Sequence, residues 1–323
     1  MTLALNILML LVIIVILFAG ITIMRARHNE HRAEASHPPE GQFLDMEGHR
    51  LHVVVCGQPQ GTAPDLVLIH GSSGNTRDYT HRLVDQLTNS YRVIIFDRPG
   101  LGYSEAINPK GDSITTQAAL FVKAAQTLGA HAPIVLGQSY GGAVALAWAV
   151  HHPDSLSALV LLAAPSQPWT TPLDPYYRVT SHPILGPLVI PMITAWVDNR
   201  RVTTALAEVF APQTTPAGYG AHIGAGLTLR RASTRANALQ RANLLDEITA
   251  LHPQYPRLTL PIEMLHGEAD TTVGIDIHAR PLAKTLPNAH LTPLAGIGHM
   301  PQHVAQPDVI AAIQRATHRA GLH

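Results

Sequence analysis

The amino-acid sequence predicts an α/β fold, a mostly parallel central sheet flanked by helices, with an α-helical cap inserted into it. Three observations carry that expectation. Short apolar runs alternate with segments of helical spacing from Asp65 to Pro165, the pattern of parallel strands covered by helices on both faces. From residue 166 to residue 258 helical segments continue without a clear strand, and prolines recur at Pro168, Pro172, Pro175, Pro183, Pro187 and Pro191. The alternation then resumes at "LTLPIEMLHG" and runs to the last helix.

Each element has its own warrant. Gln42–Gly57 reads as a hairpin with Glu47-Gly48 at its turn. "DLVLIHG" (65–71) is a short buried strand that runs into the loop "SSGN". "RDYTHRLVDQLTNS" has the apolar spacing of a helix, and "YRVIIFD" is a second buried strand followed by the loop "RPGLGYSE". Ser113–Gly129 is a helix that Gly129 stops. "PIVLG" is a strand, "YGGAVALAWAVHHP" a helix ended by Pro153, and "LSALVLLAAP" a strand. After the insert, "LTLPIEMLHG" is a strand, "GIDIHARPLAKTLP" a helix, "HLTPLAG" a strand and 307–320 a closing helix. The expected organisation is a core in two parts, 42–165 and 259–323, with the cap at 166–258.

The chain begins differently. Leu3–Met24, "LALNILMLLVIIVILFAGITIM", has no charge. At 1.5 Å per residue it is long enough to cross about 30 Å of hydrocarbon. Residues 1–24 are therefore expected to be a single transmembrane anchor, and 25–41, polar with two prolines, a linker. A cleaved signal peptide fits less well, because no Lys or Arg precedes the run and no small-x-small site follows it at once. Arg25, Arg27 and Arg32 all lie on the C-terminal flank, which by the positive-inside rule puts the body of the protein on the cytoplasmic side.

Composition narrows the function classes. The chain has 323 residues, 46% hydrophobic and 14% charged, enough for one large domain with a proper core. Lys+Arg and Asp+Glu both number 22, so there is no basic excess of the kind a nucleic-acid partner requires. The 20 histidines are scattered, with no HExxH and no paired Cys/His spacing, so no metal site is expected. Cys56 is the only cysteine and has no partner for an internal disulfide.

The chemistry concentrates at "GQSYGG" (137–142), where a strand gives way to a helix. Gly137 and Gly141 have no Cβ, so strand and helix can approach closely and lift Ser139 above the sheet in a strained turn. The helix N-terminus beneath it offers free N–H groups and partial positive charge. A serine hydroxyl needs a base to take its proton, and the base needs an acid to orient it. Asp270, three residues after Gly267 at a strand end, suits the acid better than Glu268. His299, in a Gly-bracketed loop before the last helix, suits the base better than His303, and the order Ser…Asp…His is one the fold uses. Donors for an oxyanion are expected from the backbone N–H of Tyr140 and from the "HGSSGN" loop, with Ser72 preferred to Ser73 and His70 bracing that loop. The apolar cap segment "ILGPLVIPMITAW" suggests a lipophilic pocket, with Ser73, Trp196 and Met300 as candidate substrate-binding residues.

"HGSSG" (70–74), "DRPGLGYS" (97–104), "GQSYGG" (137–142), "HGEAD" (266–270) and "GHMPQ" (298–302), in this order and at these spacings, resemble the α/β-hydrolase superfamily. The resemblance runs from Gln42 to the C-terminus, the insert matching that family's helical cap. It implies Ser139 as nucleophile, Asp270 as acid and His299 as base, with Asp97 and Arg98 shaping the site from beneath. It implies acyl transfer to water with no metal or organic cofactor. Epoxide hydrolases and haloalkane dehalogenases of the superfamily carry Asp at the elbow, and this chain carries Ser. Hydrolysis of a carboxylic ester on a small lipophilic acyl substrate is the first expectation. C–C bond hydrolysis, perhydrolysis and acyl transfer to an alcohol use the same triad, and a membrane-tethered ligand sensor is the reading from another class.

Overall fold

The computed structural model describes residues 2–322. Met1 and His323, the outermost residues of the expected anchor and core, lie outside that range. An eight-stranded sheet runs in the order β1-β2-β4-β3-β5-β6-β7-β8. β1 (Gln42–Met46) and β2 (His49–Gly57) form the antiparallel hairpin, and Glu47 at its turn takes a φ of 59°. β2 pairs antiparallel with β4 (Arg92–Phe96). β3 (Asp65–Ile69), β5 (Ile134–Gln138), β6 (Ala158–Leu162), β7 (Ile262–Gly267) and β8 (Ala289–Leu294) extend the sheet in parallel.

The central strands read as unbroken apolar runs because both their faces are buried. Alternate residues point to opposite sides. Val67, Ile69, Ile94, Phe96 and Val135 meet Phe121 and Trp148 on one face. Leu66, Leu68, Val93, Ile95 and Leu136 meet Tyr79, Leu83, Val309 and Ile313 on the other.

The helices in chain order are α1 (Thr2–Ser36), α2 (Arg77–Thr80), α3 (Ile114–Thr127), α4 (Tyr140–His151), α5 (Pro175–Ser181), α6 (Leu185–Trp196), α7 (Asn199–Phe210), α8 (Tyr219–His222), α9 (Ala225–Thr228), α10 (Arg231–Leu251), α11 (Ala279–Thr285), α12 (Pro301–Val304) and α13 (Gln306–Arg319). Helices α5 to α10 all lie between β6 and β7 in the chain, so the strand-free segment is helical. Ser113 caps α3, its side chain accepting the Thr116 N–H, and Gly129 follows the helix at φ 77°.

Three segments depart from the expected pattern. The expected linker at 25–41 is not a loose tether, since α1 continues unbroken to Ser36. One face of it, Thr22, Ala26 and Ala33, is small and buried against the insert, while Glu30 pairs with Arg231 and Glu34 with Arg230. Polar residues at helical spacing found partners on another element, which composition alone does not reveal; the chain turns only at Ser36, just before Pro38-Pro39. The segment 77–90 is a single turn, α2, plus a 3₁₀ turn at Val84–Gln86. Tyr79, Leu83 and Leu87 are still buried, but side-chain bonds from Asp78 to Tyr219 and from Thr80 to His222 tie the segment down in place of a continuous helix. In 274–287 only Ala279–Thr285 is helical, because Pro281 is tolerated in a first turn and bars extension further back.

Candidate active site

β3 has β4 on one side and β5 on the other. A crevice opens at the carboxyl ends of strands where the order reverses in this way. Two loops meet there, Gly71–Asn75 after β3 and the turn at Ser139 after β5.

Ser139 occupies one residue between strand and helix. Its φ is 51° and ψ −123°, a conformation that costs a non-glycine residue about 1–3 kcal/mol and persists only when its surroundings enforce it. The surroundings do so. The Ser139 N–H donates to Leu162 O at 2.8 Å, and its carbonyl accepts the Gly142 N–H at 2.8 Å. A Cβ on Gly137 would collide with the Gly141 carbonyl, and one on Gly141 with the Ile69 carbonyl of β3. The glycines are what allow α4 to pack directly on the sheet.

His299 Nε2 lies 3.0 Å from Ser139 Oγ, and His299 Nδ1 lies 2.7 Å from Asp270 Oδ2. Asp270 follows β7; its Oδ1 accepts the N–H groups of Thr272 at 2.8 Å and Val273 at 2.9 Å. Burial alone would raise the Asp270 pKa, but bonds from His266 and His299, the charge on His299 and the backbone donors outweigh it and hold the carboxyl well below the usual range. His266 Nε2 is 3.4 Å from Asp270 Oδ2, with its shorter contact, 2.6 Å, to Val273 O. An ionised Asp270 accepts a hydrogen bond from Nδ1–H, which fixes that tautomer and leaves Nε2 bare to accept the Ser139 hydroxyl.

The rival residues are engaged elsewhere. Glu268 is a surface residue paired with Arg280 at 2.7 Å. His303 Nε2 lies 2.9 Å from Asp78 Oδ1, which also accepts the Tyr219 hydroxyl at 2.7 Å.

The loop after β3 passes over Ser139: a Cβ on Gly71 would lie 3.1 Å from the Ser139 Cβ. As the first residue of α4, Tyr140 has an N–H with no partner inside the helix. Among the described residues the Ser72 N–H has no protein acceptor, whereas the Ser73 N–H donates to Asn237 Oδ1 at 3.0 Å. Ser73, with φ 58°, therefore fastens this loop to α10 and α9: Asn237 Nδ2 donates to Ser73 Oγ at 2.9 Å, and Thr228 of α9 donates to Ser73 O at 2.7 Å.

Arg98 lies wholly buried beneath. It donates to Gly71 O at 3.0 Å, to Gln117 at 3.0 Å and to Gln240 of α10, and its guanidinium sits 3.8 Å from the centroid of the Tyr140 ring. His70 accepts the Arg98 N–H at 3.0 Å and lies 2.9 Å from Gly71 O. Burial, together with the charge of Arg98, lowers its pKa to about 4, so it braces the loop as a neutral imidazole.

Of the other two expected substrate contacts, Trp196 packs against α1 and Met300 lies beside His299. Trp196 belongs to the outside of α6, its ring stacked on Phe18 and its Nε1–H donating to Thr22 Oγ1, because α1 packs where a pocket wall was expected. Met300 is buried with Phe210, Tyr219 and Ile223, and its sulfur accepts from Gln138 Nε2 at 3.7 Å. It packs the floor next to His299. Asn237, Thr228 and Gln240 were not singled out from the sequence; polar residues in a helix far along the chain carry no local mark of what they will bind. Among the described residues no cluster of three His, Cys, Asp or Glu could hold a metal ion.

Comparison with known proteins agrees with this architecture. A family model described as alpha/beta hydrolase fold matches residues 64–306. The chain is 31% identical over 264 residues to polyketide synthase ThaQ of Burkholderia thailandensis, covering 80% of this chain but only 12% of that much longer protein. It is 29% identical over 249 residues to a pimeloyl-[acyl-carrier protein] methyl ester esterase of Vibrio vulnificus, covering 71% of this chain and 85% of the relative. Among solved structures, an alpha/beta hydrolase fold protein from Burkholderia ambifaria superposes with a TM-score of 0.68 at 23% identity, covering 84% of this chain and 96% of that one.

Proposed function

Because this chain belongs to the alpha/beta hydrolase family and is a hydrolase, we infer that it cleaves a carboxylic ester through Ser139, His299 and Asp270. The observation that carries the reading is the continuous relay from Ser139 Oγ to His299 Nε2 at 3.0 Å and from His299 Nδ1 to Asp270 at 2.7 Å.

The steps follow from that geometry. Ser139 Oγ attacks the ester carbonyl carbon while His299 Nε2 takes the hydroxyl proton. The carbonyl oxygen becomes an oxyanion, met by the N–H groups of Ser72 and Tyr140; each such donor is worth about 3–4 kcal/mol of barrier. The tetrahedral intermediate collapses, the C–O bond to the alcohol breaks, and the alcohol leaves with the proton from His299. Water then attacks the acyl-enzyme, giving its proton to His299. The second collapse releases the carboxylic acid and returns the proton to Ser139. Asp270 stays ionised throughout and stabilises the imidazolium.

Residues 42–165 and 259–323 form the catalytic core in this reading, 166–258 the cap, and Leu3–Met24 a membrane anchor with the body on the cytoplasmic side. A small lipophilic ester suits an enzyme held at a membrane, and a relative named as a methyl ester esterase favours ester cleavage. The test is mass spectrometry of the full chain treated with a fluorophosphonate, beside Ser139→Ala. A single adduct on Ser139, absent from the variant, is expected. A folded protein that forms no adduct would remove Ser139 as nucleophile and turn the search to ligand binding.

A further inference from the structure

Helix α6 is inside out. Gly186, Ile190 and Thr194, spaced four apart, are buried together with Ala195, and three of these four are small or polar. The opposite stripe, Ile184, Leu188, Met192 and Trp196, also spaced four apart, is 68%, 65%, 45% and 44% exposed. No charged residue occurs between Leu185 and Trp196. A helix facing water puts its large apolar side chains inward, so an outward apolar stripe beside a small inner face marks a surface that meets something other than water.

The stripe is continuous with α1. The Trp196 ring stacks on Phe18, with centroids 6.2 Å apart and planes 4° apart, and donates to Thr22 at 3.2 Å. Phe18 lies six residues before Met24, about 9 Å inside the end of the apolar run at 1.5 Å per residue. The α6 helix therefore ends beside the apolar part of α1. Its last carbonyls are not left to water: Arg25 Nε donates to Ala195 O at 2.7 Å, and Asn29 Nδ2 to Thr194 O at 3.0 Å. A helix end at the edge of the hydrocarbon needs that provision. The Arg25 guanidinium also sits 4.6 Å from the centroid of the Trp196 ring, and Arg25, Arg27 and Arg32 are exposed just beyond the apolar run, where anionic headgroups would lie. Pairs from Glu30 to Arg231 and from Glu34 to Arg230 fix α1 to the insert, so α6 keeps its level relative to α1.

We propose that the Ile184, Leu188, Met192 and Trp196 stripe of α6 is itself inserted into the hydrocarbon layer beside α1, so that the partner of the cap is the lipid bilayer. The proposal rests on the reading of α1 as a membrane span. It makes the cap a membrane-seated element, and lipid the phase from which an apolar ester reaches it.

Depth-dependent quenching tests it on the full chain in vesicles of phosphatidylcholine and phosphatidylglycerol. Cys56, the only cysteine, is replaced by Ser, and an environment-sensitive thiol dye is placed at Leu188→Cys, at Ile13→Cys in α1, or at Lys123→Cys on the solvent face of α3. Fluorophosphonate labelling of each variant reports that it is folded. Nitroxide-labelled acyl chains are expected to quench the dyes at 188 and 13 severalfold more than the dye at 123. Quenching at 13 with none at 188 beyond that at 123 overturns the proposal and leaves the anchor standing; a face covered by a second copy of the chain gives this result. Quenching at neither 13 nor 188 overturns both readings together.

Discussion

Asp270→Asn is the sharpest perturbation of the relay, because the surroundings dictate how the new amide must sit. Oδ1 accepts two backbone N–H groups, from Thr272 at 2.8 Å and Val273 at 2.9 Å. An NH₂ group there would face two donors, so the asparagine oxygen must occupy that position. Its nitrogen then takes the place of Oδ2, 2.7 Å from His299 Nδ1. A donor at that point forces Nδ1 to accept, which moves the ring hydrogen to Nε2, 3.0 Å from Ser139 Oγ. Nε2 can then no longer take the serine proton. The same substitution in a serine protease of unrelated fold costs about 10⁴ in kcat. At 1.36 kcal/mol per decade this is a barrier increase of about 5 kcal/mol. The assay is kcat on a p-nitrophenyl ester, with a thermal melt to show that the variant is folded. A folded Asp270→Asn protein within tenfold of the parent would refute the tautomer argument and the role given to Asp270.

Two further outcomes follow from the fold. Gly141→Ala sets a Cβ against the Ile69 carbonyl, so α4 and β3 must part; a displacement of roughly 1 Å at the nucleophile is expected to slow fluorophosphonate labelling by about 10² and overpacking to cost about 1–3 kcal/mol in a denaturant melt. Parent-like labelling and melting would show that the tight elbow is not needed. Burial lowers both His70, with the Arg98 charge adding to it, and His278, with His266 adding to it, to about 4. In the unfolded chain both titrate near 6.5, so between these values the unfolded state binds more protons. Their contribution is complete above pH ~6.5 and is lost as pH falls toward 4. Asp270, held low, adds its own slope only below about pH 5, where the unfolded carboxyl begins to take up a proton. The urea midpoint should therefore drop from pH 7.5 to pH 5, less steeply in His278→Gln, and a flat profile would contradict the buried neutral histidines.

What the sequence determined by itself is what the local backbone demands. Leu66–Ile69, Val93–Phe96 and Ile134–Leu136 read as strands because residues buried on both faces must all be apolar, and that demand is met residue by residue. Gly137 and Gly141 mark the tight turn because only an absent Cβ fits there. The spacing around Gly267 and Gly298 picks out the Asp270 and His299 that the structure brings to Ser139, while Glu268 and His303 turn to Arg280 and Asp78. Other features depend on the way the helical insert settles over the sheet. Asn237 binds Ser73, Arg98 joins Gly71 to Gln240, and the polar half of α1 continues as helix because Arg230 and Arg231 meet its glutamates. Trp196 faces α1 and not the serine for the same reason. These pairings join elements more than a hundred residues apart, and a polar side chain on a helix looks the same in sequence whether it ends in water or against a partner. Only the tertiary structure decides between them, because the approach of two distant elements is set by the packing of whole faces and not by any residue's own conformational preference.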